Sequence, residues 1–166
     1  MYVLFVCMGN ICRSPTAVGV FHAAVAQAGL AARIRADSAG IGNWHEGSPP
    51  DHRAIQAARR RGYDLTTLRA RQVTTDDFAH FGWILAMDRA NLAALEAMKP
   101  REFDGHLGLL LDFVPELGIR EVPDPYYGGL QGFEQVLDLV EQASAALVVR
   151  VRLGLDDAGK RDPRDQ

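Results

Sequence analysis

Only two cysteines, Cys7 and Cys12, occur in 166 residues, and none follows Cys12. So few, so close together, they exclude a disulfide framework and point to a reducing compartment, the cytoplasm. The chain has no apolar run approaching the length of a membrane span, so no membrane insertion is expected. Its N-terminal apolar stretch is short and without a basic flank, so no signal peptide is expected either. An excess of positive charge is missing: the net charge is −3, which argues against nucleic acid as a partner. None of the five histidines, His45 included, pairs with another at metal-ligand spacing; they read as surface or loop residues, and neither a metal nor a cofactor is expected. Internal repeats and linkers are lacking as well. What remains is an ordinary globular composition, 48% hydrophobic and 23% charged, in a chain of one-domain length.

One stretch organises that chain. Val3-Leu4-Phe5-Val6 is apolar and too short for a helix, so it reads as a buried strand. Gly9 and Asn10 tolerate positive φ and allow a tight turn. Ser14-Pro15 is a helix start, a capping hydroxyl followed by a ring pre-set at helical φ. The amides of Met8, Gly9, Asn10, Ile11, Cys12 and Arg13 can curl into a ring that faces an anion, helped by the partial positive charge of the helix N-terminus. Cys7 lies at the floor of that ring, where a thiolate is favoured, and Arg13 closes it with the planar fork that grips phosphate. Cys-x5-Arg spacing is weak by itself in a chain with 16 arginines. An ordinary strand-to-helix turn with two inert cysteines accounts for the strand and the cap, but not for cysteine, glycine-asparagine turn and arginine in one loop.

Further along, the pattern predicts a helix from about Ser14 to Ala28, a strand at 34–37, and a Gly/Ser/Pro-rich loop from Ser38 to Pro50. A helix follows from Asp51 to Arg61; its Arg59-Arg60-Arg61 end reads as a solvated terminus rather than a docking patch. A short helix through 76–78 and a strand at 81–86 come next. Asp88 caps a helix to Met98, a fourth strand lies in 107–113, and a loop spans 114–130. A final amphipathic helix spans 131–152. Residues 1–153 form the domain and 154–166 a flexible polar tail. The expected fold is therefore α/β: a single domain, a four-stranded parallel sheet with helices on both faces, and a phosphate-binding loop after the first strand. In such sheets ligands bind at the carboxyl ends of the strands, where Cys7 lies.

Cys7-Met8-Gly9-Asn10-Ile11-Cys12-Arg13-Ser14-Pro15 resembles the signature of the low-molecular-weight protein tyrosine phosphatases. Asp124-Pro125-Tyr126-Tyr127-Gly128 resembles that family's general-acid loop. Asp37-Ser38-Ala39-Gly40, Trp44-His45-Glu46-Gly47, Ala70-Arg71-Gln72-Val73 and Ala86-Met87-Asp88 resemble further family segments in the same order. The resemblance implies hydrolysis of phosphotyrosine in proteins and of small aryl phosphates, with Cys7 as nucleophile, Arg13 as phosphate clamp and Asp124 as acid, then base. It implies that Ser14 donates to the Cys7 sulfur, and that Ser38 pairs with Asn10 to hold a left-handed asparagine that shapes the ring. Trp44, Tyr126 and Tyr127 would wall the cleft; ordinary packing of loop aromatics is the alternative. Ser14 as a plain N-cap, and Asp124-Pro125 as a plain turn, stay open. The histidine the family carries beside Ala-Arg-Gln is missing here, replaced by Thr67-Leu68-Arg69. Expected partners are phosphotyrosine proteins, with inorganic phosphate and other oxyanions as inhibitors.

Three rivals remain at this stage. Arsenate reduction on the same scaffold needs further cysteines. A protein-arginine phosphatase would carry threonine in place of Ile11 and lack the paired tyrosines. A non-enzymatic redox-sensing module would use Cys7 and Cys12 without turnover.

Overall fold

The structure, a computed structural model, describes residues 1–159. Its central strand is β1 (Tyr2–Cys7), buried at every position after Tyr2. A run apolar on both faces is what an inner parallel strand requires. β2 (Arg35–Gly40), β3 (Trp83–Ala86) and β4 (His106–Leu109) complete a parallel sheet of order β2-β1-β3-β4. The helices are α1 (Arg13–Gln27), α2 (His52–Arg60), α3 (Asp77–His80), α4 (Arg89–Met98) and α5 (Leu130–Gly159).

Alternation along β1 divides the core in two. Val3 and Phe5 face a large cluster that includes Phe21 of α1, Ala57 of α2, and Leu137, Val140 and Leu147 of α5. Leu4 and Val6 face a smaller one with Phe78 of α3 and Leu95 of α4. Helices thus cover both faces, as expected. Among the described residues no helix is long and apolar enough to cross a membrane.

Four local expectations change. Ser38-Ala39-Gly40 belongs to β2, not to a loop, because its backbone continues the ladder to Phe5, Val6 and Cys7, and a ladder needs no apolar side chains. The fourth strand stops at Leu109. Leu110 and Leu111 are both buried in the larger cluster, which neighbours on an alternating strand cannot do, and a 3₁₀ turn at Leu110–Phe113 does. Ser14 does not cap α1: Cys12 is the cap residue, without a side-chain cap bond, and Ser14 lies inside the first turn. Finally, α5 runs on past Gly154 to Gly159, with Leu155 packed against the larger cluster. The remaining residues of the expected tail, 160–166, lie outside the described residues.

Arg60 and Arg61 are committed to the fold. Arg60 pairs with Glu134 at 3.0 Å, and Arg61 reaches Glu134, Asp138 and Glu141 at 2.7, 2.9 and 3.1 Å. These contacts staple α2 to α5.

Candidate active site

β1 ends at Cys7, and the chain turns through residues 8–12 into α1. Asn10 takes φ 56°, the only positive value outside glycine among the described residues. Its side chain makes that conformation tenable. Nδ2 donates to Ser14 Oγ at 2.8 Å and to Ser38 Oγ at 2.9 Å, while Oδ1 accepts from the Arg71 amide at 3.0 Å. The backbone of Arg71 thus completes the network, with no histidine beside Ala70-Arg71-Gln72. Gly40 is required beside it: a Cβ there would lie 2.9 Å from the Met8 carbonyl oxygen and 3.2 Å from Asn10 Cβ.

The amides of Met8 through Cys12 have no hydrogen-bond partner among the described residues. Free amides at the mouth of a helix N-terminus form an anion cradle. Ser14 Oγ accepts from Asn10 Nδ2 and stands 3.0 Å from Cys7 Sγ, with the Ala39 carbonyl at 3.5 Å as the other acceptor within reach of its proton. Arg13 is 3% exposed. Its Nη1 donates to Asp88 Oδ2 at 2.6 Å and to the Val122 carbonyl at 3.0 Å, and its Nη2 to Asp124 Oδ2 at 3.4 Å. Nε has no partner among the described residues, which leaves the Nε/Nη2 edge for an oxyanion. Burial pulls the Arg13 pKa down, but negative charge on Cys7 and the carboxylates of Asp88 and Asp124 outweigh it, and the net shift is upward. The guanidinium stays charged.

Burial, then the charges of Asp51, Cys7 and Asp124, push Cys12 up to about 12, so it is a neutral thiol at physiological pH. Both cysteines are free in this structure.

Cys7, Met8, Gly9, Ile11, Cys12, Arg13, Trp44, Asp124, Tyr126 and Tyr127 line one cleft of about 400 Å³. Asn10, Ser14 and Ser38 stand behind it, buried. The candidate site residues of the sequence therefore lie in this cleft or directly behind it. Trp44 is 70% and Tyr127 93% exposed, so neither belongs to a packed core. The Trp44 indole lies against Gly42, where a Cβ would come within 1.9 Å of the ring. Tyr126 and Tyr127 meet edge to face, centroids 4.9 Å apart.

Sequence reasoning missed several participants. His45 lines the cleft and packs toward Tyr126, centroids 6.4 Å apart. The sequence marks Asp88 as a helix cap and as part of a segment that resembles the family, with no tie to Arg13. Asp88 does cap, accepting from the Asn91 amide at 2.8 Å, and its other oxygen holds Arg13. Its place at the carboxyl end of β3 was the available signal. Arg53 and the backbone of Arg71 left no sequence signal of their role. Among the described residues no group of three His, Cys, Asp or Glu side chains is disposed to hold a metal.

The sequence profile of the family described as low molecular weight phosphotyrosine protein phosphatase matches residues 2–156. A low molecular weight protein-tyrosine-phosphatase of Streptomyces coelicolor is 45% identical over 153 residues, 90% of this chain and 93% of its own. The Bacillus subtilis protein YfkJ, named likewise, is 42% identical over 150 residues, 90% and 95% of the two chains. A crystal structure of an Entamoeba histolytica protein tyrosine phosphatase, with Hepes in its active site, superposes with a TM-score of 0.89 at 37% identity, over 93% of this chain and 99% of that one.

Proposed function

Since the chain belongs to the low molecular weight phosphotyrosine protein phosphatase family, we propose that it hydrolyses phosphotyrosine in proteins, and small aryl phosphates, through a phosphocysteine on Cys7. The observation that carries this reading is the meeting of Cys7, Arg13 and Asp124 in one cleft from three distant parts of the chain.

In the first step the Cys7 thiolate attacks phosphorus and the P–O bond to the aryl group breaks. Arg13 and the amides of residues 8–13 hold the three equatorial oxygens, most strongly as charge spreads in the transition state. The Asp124 carboxyl, 45% exposed at the cleft mouth, protonates the leaving oxygen. In the second step Asp124, now a carboxylate, takes a proton from water. That water attacks phosphorus, the P–S bond breaks, and phosphate leaves. The Ser14 hydroxyl, hydrogen-bonded to sulfur, makes Cys7 a better leaving group. Trp44, Tyr126 and Tyr127 flank the substrate ring. Ile11 offers no hydroxyl to a guanidinium, which favours phosphotyrosine over phosphoarginine. Phosphate and vanadate, as occupants of the ring, inhibit. Two free cysteines fit a reducing cytoplasm as the place of action.

Phosphate release from an aryl phosphate tests the reading. Wild type turns over with a chelator present, Cys7→Ser is inert, and Arg13→Ala loses on the order of 10²-fold or more. Activity in Cys7→Ser, or its abolition by the chelator, would remove the mechanism.

A further inference from the structure

The loop that carries Asp124 is held by the buried Val122, whose amide donates to the Met87 carbonyl at 2.8 Å and whose carbonyl accepts from Arg13, and by Pro125, which is also buried. On the far side of Asp124 a second set of contacts meets at Arg53, in the first turn of α2. Its Nε and Nη2 donate to Asp51 Oδ1 and Oδ2 at 3.0 and 2.8 Å, a two-pronged pair. The same Nη2 donates to the Tyr126 carbonyl at 3.1 Å. The guanidinium also lies over two rings, 5.5 Å from the Tyr126 centroid and 4.7 Å from that of Phe133 on α5. Asp51 fixes the other end. Its side chain caps α2 through the Arg53 amide at 2.9 Å, and its own amide donates to the Ile11 carbonyl of the phosphate loop at 2.8 Å. Tyr126, for its part, donates its amide to Asp124 Oδ1 at 3.1 Å. A continuous chain of contacts therefore runs from the phosphate loop through Asp51, Arg53 and Tyr126 to the carboxyl of Asp124.

We propose that Arg53 is a positioning residue that latches the acid loop to the phosphate loop, so that Asp124 is held over the leaving oxygen. It touches no reacting atom; it acts through Tyr126. A planar cation suits the task because one guanidinium engages a carboxylate edge, a carbonyl and two ring faces together, which an ammonium does not. The side chain of Arg53 is 24% and that of Asp51 10% exposed, so water competes only partly for these bonds. The Asp51 carboxyl, hydrogen-bonded by Arg53, is held below the usual carboxylate range and keeps its charge at neutral pH. The inference rests on the acid role of Asp124 proposed above.

Leaving-group dependence separates a loosened acid from a damaged cradle. Phenoxide needs a proton as it departs; 4-nitrophenoxide needs far less help. Arg53→Gln should lower kcat/KM for phenyl phosphate ~10-fold or more, and that for 4-nitrophenyl phosphate by less than ~3-fold. Vanadate, which touches only the ring, should inhibit it as it does wild type. Arg53→Lys, which keeps the charge near Phe133, should give an intermediate ratio in a folded protein. Asp124→Asn should show the same signature more strongly, and the Arg53→Gln, Asp124→Asn double variant should lose no more than Asp124→Asn alone. Equal losses on both substrates together with weaker vanadate inhibition would overturn the latch and make Arg53 a support of the phosphate loop. Additive losses in the double variant would overturn it too, as would wild-type ratios in both Arg53 variants. If Asp124→Asn itself lacks the signature, the acid assignment fails, whatever Arg53 does.

Discussion

Asn10 shows how much one residue can decide. A non-glycine φ of 56° is strained, and three hydrogen bonds to its side chain offset the strain. Ser14 and Cys7 are reached through the same network, so backbone shape and sulfur environment are set together. Cys12, in the same loop, is kept neutral by burial first and then by the negative charges around it. Three predictions belong here. Cys12→Ser should retain most turnover, because Cys12 is neither nucleophile nor clamp. After mild peroxide and then dithiothreitol, it should recover less activity than the parent, since Cys12 is the other thiol lining the cleft: as its sulfur joins that of a Cys7 sulfenic acid, its proton leaves with the hydroxyl as water. Full recovery in the variant would deny Cys12 that role. The other two concern selectivity. Trp44→Ala should weaken aryl substrates, by roughly 0.5–1.5 kcal/mol beyond lost contact area, while vanadate inhibition holds. Parallel losses would mean that Trp44 shapes its loop instead of gripping substrate. Ile11→Thr should shift kcat/KM toward phosphoarginine, and a variant with the wild-type ratio would remove Ile11 from selectivity.

At the scale of elements, α2 is the part whose sequence most invited a different account. Three successive arginines at a helix end look like a solvated cationic terminus, yet two of them turn toward α5. The acidic partners Glu134, Asp138 and Glu141 are spaced along one face of α5, more than 70 residues away in sequence. Arg61→Ala should therefore destabilise the protein by on the order of 1 kcal/mol, an effect that shrinks as salt rises. Thermal unfolding at two ionic strengths measures it. A loss independent of salt would assign the effect to packing of the arginine stem. Because α2 also carries the Asp51-Arg53 pair, the same staple bears on the site: a loosened α2 carries the acid loop's anchor with it.

The whole molecule binds fewer protons folded than unfolded in acid. Asp51, Asp112 and Glu134 are each held below their ordinary values, first of all by hydrogen bonds from Arg53, Arg120 and Arg61 respectively. His106 is also depressed, by burial and then by the charge of Arg150. It lies against Trp83 and Phe113, centroids 4.8 and 5.6 Å away. A lowered folded pKa means that the unfolded chain takes up protons first, so stability falls as pH falls. The histidine contribution is lost below about pH 6.5 and the carboxylate contributions below about pH 4. Denaturant melts between pH 7 and 3 should follow this course, and His106→Gln should flatten its upper part. A flat melt between pH 7 and 5 in wild type would remove His106 from the balance. Much of this protein follows from local sequence: the apolar run of β1, the glycine-asparagine turn, the Asp51 and Asp88 caps, and the alternation of strands with helices, which dictates a parallel sheet. These are near-neighbour effects, written in consecutive residues. Only the tertiary structure decided that Ser14 faces sulfur instead of capping its helix, and that Leu110 leaves the strand for a 3₁₀ turn. It also decided that Asp88 holds Arg13, that the Arg71 amide completes the Asn10 network, and that Arg53 bridges two loops. Ser14 and Cys7 belong to one loop, but the other three contacts join groups more than 60 residues apart, and no local propensity anticipates a partner that only the closed sheet brings within hydrogen-bond reach.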